Sequence, residues 1–412
     1  MKENTLGGPT DSQGRIPTLD VLRGFAVLGI FVVNIEIMNC IFMNQDAFAG
    51  QWTSAPDRLA VRILQLFFYS KFFPIFSFLF GLGIAMQALK RMDRGIRSGG
   101  FFLRRMAALF VIGALHVILL WGGDVVHMYA VLGVLTLLVF RVPSRVILLA
   151  SVALLCFPYY EELSGTLFRY LNFQPASYLE AYSSEEAVRI IREGSYLEGV
   201  RFRLHEYVAN MPLLYSFMAP VAFSMFLLGV YAGKKRVVKD IPAFLNSTKW
   251  GYISVFVLTN AYRVVFLFVL PDTGVFKNSD LGPVLYRSMF LCDIAMGLCY
   301  LWGVAWLMQK QLWVKLLSPL AYAGRMALTN YLMQSLIGLL IFSSIGLGLY
   351  ETLSPWQTLV MALGVFIFQL LFSMIWLRAF RFGPVEYVWR ALTYLYWPRI
   401  KKKSGEVKAF AK

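Results

Sequence analysis

The chain has 412 residues, of which 58% are hydrophobic, 16% aromatic and only 15% charged, where a soluble protein of this size carries about a quarter charged residues. Its formal net charge is +16. In a soluble chain that charge would point to nucleic acid. Here the basic residues fall in short loops between apolar runs, which excludes a nucleic-acid partner and points to membrane lipids.

Runs of about 20 apolar residues read as transmembrane helices. Ten are predicted in chain order, near 21–43, 64–89, 102–121, 124–141, 145–162, 209–232, 250–270, 283–308, 320–348 and 355–379. The expected fold is all-α, a polytopic transmembrane helical bundle of about ten spans making one integral membrane domain over residues 1–412. The polar N-terminus MKENTLGGPTDSQGRIPTLD is followed by no small-residue cleavage site, so a removable signal peptide is not expected. With ten spans the basic loops KRMDRGIRSGGFFLRR, RVPSR and GKKRVVKD, the segment around Lys310 and Lys315, and the tail RIKKK share one side. By the positive-inside rule that side is the cytoplasm, with both termini in it.

Residues 164–206 then form an extracytoplasmic insertion. Within it SSEEAVRIIREG is predicted as a short amphipathic helix, capped by Ser183 and Glu186 and stopped at Gly194, lying on the membrane surface or forming a lid. Residues 380–412 read as a cytoplasmic interfacial helix, RFGPVEYVWRALTYLYW, with a basic tail against anionic lipid. Cys40, Cys156, Cys292 and Cys299 show no CxxC spacing and read as small core hydrophobes; no metal centre is expected.

Several spans carry polar residues that hydrocarbon does not tolerate without partners. In TLDVLRGFAVLGIFVVNIEI, Arg23 and Asn34 are eleven residues apart, about three helical turns and about 16 Å of rise. They therefore share a stripe from the basic surface to the midplane. The plainer alternatives are an Arg23 that snorkels beside Asp20 and an Asn34 that glues helices together. Lys71, three residues before a kinking Pro74, must face a polar cavity, pair with an acid, or reach the surface. The hairpin GALHVILLWGGDVVHMYAVLG holds His116, Asp124 and His127, either a general base oriented by a carboxylate or a satisfied network that ties the hairpin. In AYAGRMALTNYLMQSLIG, Arg325 opens the ninth span, and Asn330 and Gln334 share one face, lining a cavity or packing helices. Arg263 and Asp293, in spans seven and eight, are candidates for an ion pair.

The blocks RIPTLDVLRGFAVLGIFVVNI, SKFFPIFSFLFGLGIAMQ, GGDVVHMYAVLG, AGRMALTNYLMQSLI and FGPVEYVWRALTY together resemble the YeiB-like bacterial membrane proteins, from the first span to the tail. More distantly, LDVLRG with a polar residue eleven positions after its arginine is similar to the O-antigen acyltransferases, which have histidine there. It is also similar to heparan-α-glucosaminide N-acetyltransferase, which has asparagine and a Phe-Pro span like Phe73-Pro74. This resemblance implies a transmembrane-acyltransferase-like fold in a bacterial inner membrane, with acyl-CoA (acetyl-CoA) entering from the cytoplasm and a small-molecule, glycan or lipid acceptor from outside. The acetyltransferase uses a histidine ahead of its Phe-Pro span, and no histidine lies between Asn34 and Pro74 here. On this reading the base is His116 with Asp124, or His127. Arg23, Lys71 and Arg325, with Asn330 and Gln334, would hold the acyl-CoA, and Asn34 would orient its thioester. The rival reading is a permease for a small metabolite using the same polar cavity, although no inverted repeat of broken helices is evident. A lipid-binding scaffold or an oligomer would need none of these groups for chemistry.

Overall fold

The computed structural model describes residues 15–41, 44–96, 99–277 and 280–402. The first fourteen residues and the end of the basic tail lie outside them. In hydrocarbon every backbone N–H and C=O must be satisfied within its own segment, which leaves helices as the solution for a chain this apolar. No strand longer than an isolated bridge between Phe380 and Lys401 occurs among the described residues.

In chain order the helices are α1 (Pro17–Met38), α2 (Gln45–Gly50), α3 (Ala55–Phe67), α4 (Phe72–Met92), α5 (Gly99–Leu119) and α6 (Val126–Val139). Then come α7 (Ser144–Cys156), α8 (Tyr160–Tyr170), α9 (Ser177–Glu180), α10 (Ser184–Glu193) and α11 (Tyr196–Ala209). A π-helical turn at Pro212–Met218 leads into α12 (Ala219–Lys234). The chain finishes with α13 (Ile241–Phe268), α14 (Leu281–Leu307), α15 (Gln311–Arg325), α16 (Ala327–Phe342), α17 (Pro355–Ala379) and α18 (Pro384–Tyr394).

Among the described residues, seven segments are long and apolar enough to cross a membrane on their own, with α3 and α4 together forming one of them. Two further pairs qualify only as bent units, α7 with α8 at 75° and α15 with α16 at 79°, and α6 is a shorter apolar helix. Each of the ten predicted spans thus has a helical counterpart, and the chain is an all-α polytopic bundle. Three of the counterparts are broken. Around Pro158, which cannot donate to a helix ladder, α7 stops, and Arg287 donates to the carbonyls of Phe157 and Pro158. The break at Lys71 comes before Pro74, which sits in the first turn of α4, rather than as a kink at the proline; Ser70 there has a left-handed φ of 60°. The third break falls at Met326, and Pro319 stays inside α15.

At the centre of the bundle α1 packs against α4, α14, α15, α16 and α17, while α12 packs against α4, α6 and α7. Close approach of α1 and α15 rests on two glycines. A Cβ at Gly24 would strike the Leu320 carbonyl, and one at Gly324 the Asp20 carbonyl. In a membrane such small-residue contacts, with interhelical hydrogen bonds, replace the hydrophobic drive.

Outside the spans, α10 is capped by Ser183, whose hydroxyl accepts from the Glu186 amide at 3.1 Å. Its apolar residues Ala187 and Ile190 are buried in one cluster with Phe31, Ile35 and Tyr350. It therefore packs on the bundle rather than presenting that face to lipid.

Candidate functional site

A cavity of about 530 Å3 runs beside α1. Arg23 and Asn34 both line it, as the helical arithmetic of one stripe requires. One end is strongly basic. Arg15, Arg23, Lys90, Arg91, Arg94, Arg105, Arg325 and Arg390 contribute to its wall, against the two carboxylates Asp20 and Glu386. Arg23 pairs with Asp20 at 3.0 Å and remains one-third exposed. The Arg105 guanidinium stacks 3.6 Å over the Trp389 ring, whose Nε1 donates to the Arg105 carbonyl. That contact draws α18 onto α5, making the expected interfacial helix part of the cavity wall.

The break at Met326 leaves the amides at the start of α16 without intrahelical partners. Glu386 of α18 supplies the acceptor, taking the Leu328 amide at 2.8 Å and the Thr329 amide at 3.0 Å. Burial pushes its carboxyl above the usual carboxylate range, opposed by the hydrogen bonds from Thr329.

Beyond an aromatic middle that includes Phe72, Phe76, Phe80 and Tyr129, the other end holds Asn34, Ser70, Gly122, Tyr207 and Asn210. The Asn34 side chain makes no hydrogen bond to other described residues.

His116, Asp124 and His127 come together immediately behind this wall. A Cβ at Gly113 would collide with the backbone of His127, so the glycine lets α5 and α6 close up. Asp124 is fully buried and sits between the two imidazoles, 2.9 Å from His116 Nδ1 and 3.1 Å from His127 Nδ1. It also accepts from the Val126 amide at 2.9 Å and the Tyr331 hydroxyl at 3.2 Å. A carboxylate is acceptor-only, so the nitrogen that faces it on each ring, Nδ1, is the one that carries a proton. The two histidines then differ. His127 Nε2 lies 2.9 Å from the Tyr207 hydroxyl and 3.1 Å from that of Tyr215. His116 is 2% exposed, and its Nε2 has no hydrogen-bond partner among the described residues. His127 therefore connects to the cavity through Tyr207, and His116 braces the carboxylate from behind. Tyr207 and Tyr215 were not among the residues singled out from sequence. Their signal was faint, one tyrosine between the surface insertion and the sixth predicted span and the other in the first turns of that span.

Lys71, Asn330 and Gln334 do not line the cavity. Lys71 is fully buried and bonds to Asp293 at 2.8 Å, and Arg263 holds the same Asp293 oxygen at 2.8 Å. Lys71 also donates to the carbonyls of Tyr69 and Gln65, which fastens the α3–α4 break to α13 and α14. Asn330 donates to Ser373 at 3.0 Å and Gln334 to Gln369 at 2.9 Å, so their shared face meets α17. Of the six residues assigned to acyl-CoA, Arg23, Asn34 and Arg325 lie on the wall.

The family model described as "Protein of unknown function (DUF418)" matches residues 232–396. The uncharacterized protein YxaH of Bacillus subtilis (strain 168) is 32% identical over 411 residues, covering 96% of this chain and 98% of its own. An uncharacterized 39.9 kDa protein from the amylase 3' region of Bacillus acidopullulyticus is 29% identical, covering 92% of this chain and 94% of its own. The uncharacterized protein YeiB of Escherichia coli (strain K12) is 28% identical, with 91% and 95% covered. With a bundle of membrane-crossing helices and a relative matching from end to end, the chain belongs to the YeiB-like DUF418 family of polytopic membrane proteins.

Proposed function

We propose that this protein is a membrane acyltransferase that moves an acyl group, acetyl in the simplest case, from acyl-CoA to a hydroxyl or amine acceptor. The observation that carries the reading is a single cavity whose wall joins a cationic end to Asn34 and Tyr207. Arginine and lysine side chains suit the phosphates of a CoA moiety. The aromatic middle suits the apolar reach of its arm. Asn34, with its amide uncommitted, would donate to the thioester oxygen as charge develops there.

In the proposed reaction the acceptor O–H or N–H adds to the thioester carbonyl carbon as its proton passes to Tyr207 and His127 Nε2. Asp124 stabilises the imidazolium through Nδ1–H. The C–S bond then breaks, and the proton returns to the departing thiolate as CoA–SH. The basic end would face the cytoplasm, where acyl-CoA is found, and the Tyr207 end would receive the acceptor from the opposite side.

The decisive experiment measures acetyl-CoA binding and turnover by the purified protein in lipid nanodiscs, repeated with Arg23→Ala and Asn34→Ala. Saturable binding weakened by R23A, with turnover reduced by N34A, supports transfer. Absent binding and turnover, together with solute flux in proteoliposomes, overturns it.

One observation favours the permease reading. The α15–α16 pair is a broken span bent by 79°, with Arg325, Ala327 and Leu328 on the cavity wall, and transporters commonly build substrate sites from such breaks. Flux of an anionic metabolite in proteoliposomes without acyl-CoA would establish it.

A further inference from the structure

A second, much smaller pocket of about 20 Å3 lies where α10 and α11 meet the turn after α16, apart from the large cavity. Arg203 of α11 forms part of its wall, with Ser195, Gly199, Ser343 and Ser344. This guanidinium is 9% exposed, and its Nε and Nη2 have no acceptor among the described residues. The Tyr196 ring lies 5.4 Å from it.

The surrounding serines are committed elsewhere. The Ser344 hydroxyl donates to the Gly194 carbonyl, Ser343 to Leu339, and Ser195 to Glu198. Arg192 donates to the Gly348 carbonyl. Glu206, one turn along α11, contributes charge at a distance but no ion pair with Arg203. Burial pushes the Arg203 guanidinium down from its usual value, opposed by the Tyr196 hydroxyl, which accepts a hydrogen bond from it, and by the charge of Glu206. A buried cation in that position draws in an anion. A pocket of this size suits a monatomic ion better than a phosphate.

We propose that this pocket is a binding site for a single monatomic anion, chloride, held by Arg203 Nε and Nη2. The ion would join an existing seam. The Ser344 amide donates to the Ile191 carbonyl at 2.8 Å, so α10 is already pinned to the end of α16 there. Arg203 and Tyr207 are four residues apart on α11, and both touch the Gly122 turn from one face. The anion would thereby fix the register of the helix that carries Tyr207.

The test is thermal unfolding of the detergent-solubilised protein, followed by tryptophan fluorescence, in chloride, bromide or gluconate at equal ionic strength. The melting temperature should rise by several degrees with chloride on a saturable curve, and R203Q should abolish the rise. R201Q, at an exposed position on the same helix, should retain it. Broadening of the 35Cl resonance should fall from wild type to R203Q, since binding elsewhere on the basic surface is common to both. If R203Q fails to fold, bromide-soaked crystals of the wild type decide, with an anomalous peak expected beside Arg203. Anion-independent melting with unchanged 35Cl broadening, or no such peak, would mean that the pocket holds water only.

Discussion

The Tyr207 hydroxyl lies 2.9 Å from His127 Nε2, and through that contact a residue on the cavity wall reaches a carboxylate that solvent does not touch. Tyr207→Phe removes the link and leaves the shape. If the relay carries the acceptor proton, the variant should lose about 10²- to 10⁴-fold in kcat, with acyl-CoA affinity unchanged. Single-turnover kinetics alongside binding checks this; equal loss of both would make Tyr207 a packing residue.

Arg23→Ala should weaken acetyl-CoA binding by about 1.5–3 kcal/mol, the range for a hydrogen bond to a charged group. It should also flatten the dependence of affinity on salt. Lys71→Ala should leave the affinity of folded protein unaltered, because Lys71 lies off the cavity wall and is spent on Asp293. Calorimetric titration at two salt concentrations separates the two variants.

Asp293 holds two cations, so its loss should cost more than the loss of either partner. Asp293→Asn strands Lys71 and Arg263 in a buried setting and should destabilise by about 3–5 kcal/mol. Lys71→Met leaves the Arg263–Asp293 pair intact and should cost clearly less. Melting temperatures in the same detergent rank them, and an inverted ranking would rule out the shared-carboxylate account.

Glu386 caps a helix to which it does not belong. Glu386→Ala leaves the Leu328 and Thr329 amides without their acceptor and should destabilise by about 1–2 kcal/mol. Hydrogen exchange should show the start of α16 opening first, while α17 keeps its protection.

Apolar length and loop charge made the helices legible, and the 3.6-residue period made the Arg23–Asn34 stripe legible. What depended on distant partners was not. Lys71 and Asp293 are 222 positions apart, and only packing of α4 on α14 brings them together. Asn330 and Gln334 do form one polar face, but spacing within a helix cannot say whether the face meets a cavity or Gln369 and Ser373. Of the basic residues of the cavity, Lys90, Arg91, Arg94 and Arg105 read from sequence as loop charges that orient the chain, and Arg390 as part of an interfacial helix. Lys90, Arg91 and Arg94 lie at or just past the end of α4, Arg105 in the second turn of α5 and Arg390 inside α18, and packing gathers them on one cavity wall. The break at Met326 carries no local signal, since the nearby proline is tolerated seven residues earlier inside α15.

Eight basic side chains and two carboxylates on one wall give that end of the cavity a positive potential. A polyanion that binds there should raise the melting temperature by mass action. Melting temperature alone can therefore rank nucleotides, CoA esters and other phosphorylated metabolites, and the preferred occupant can be identified before any turnover has been seen.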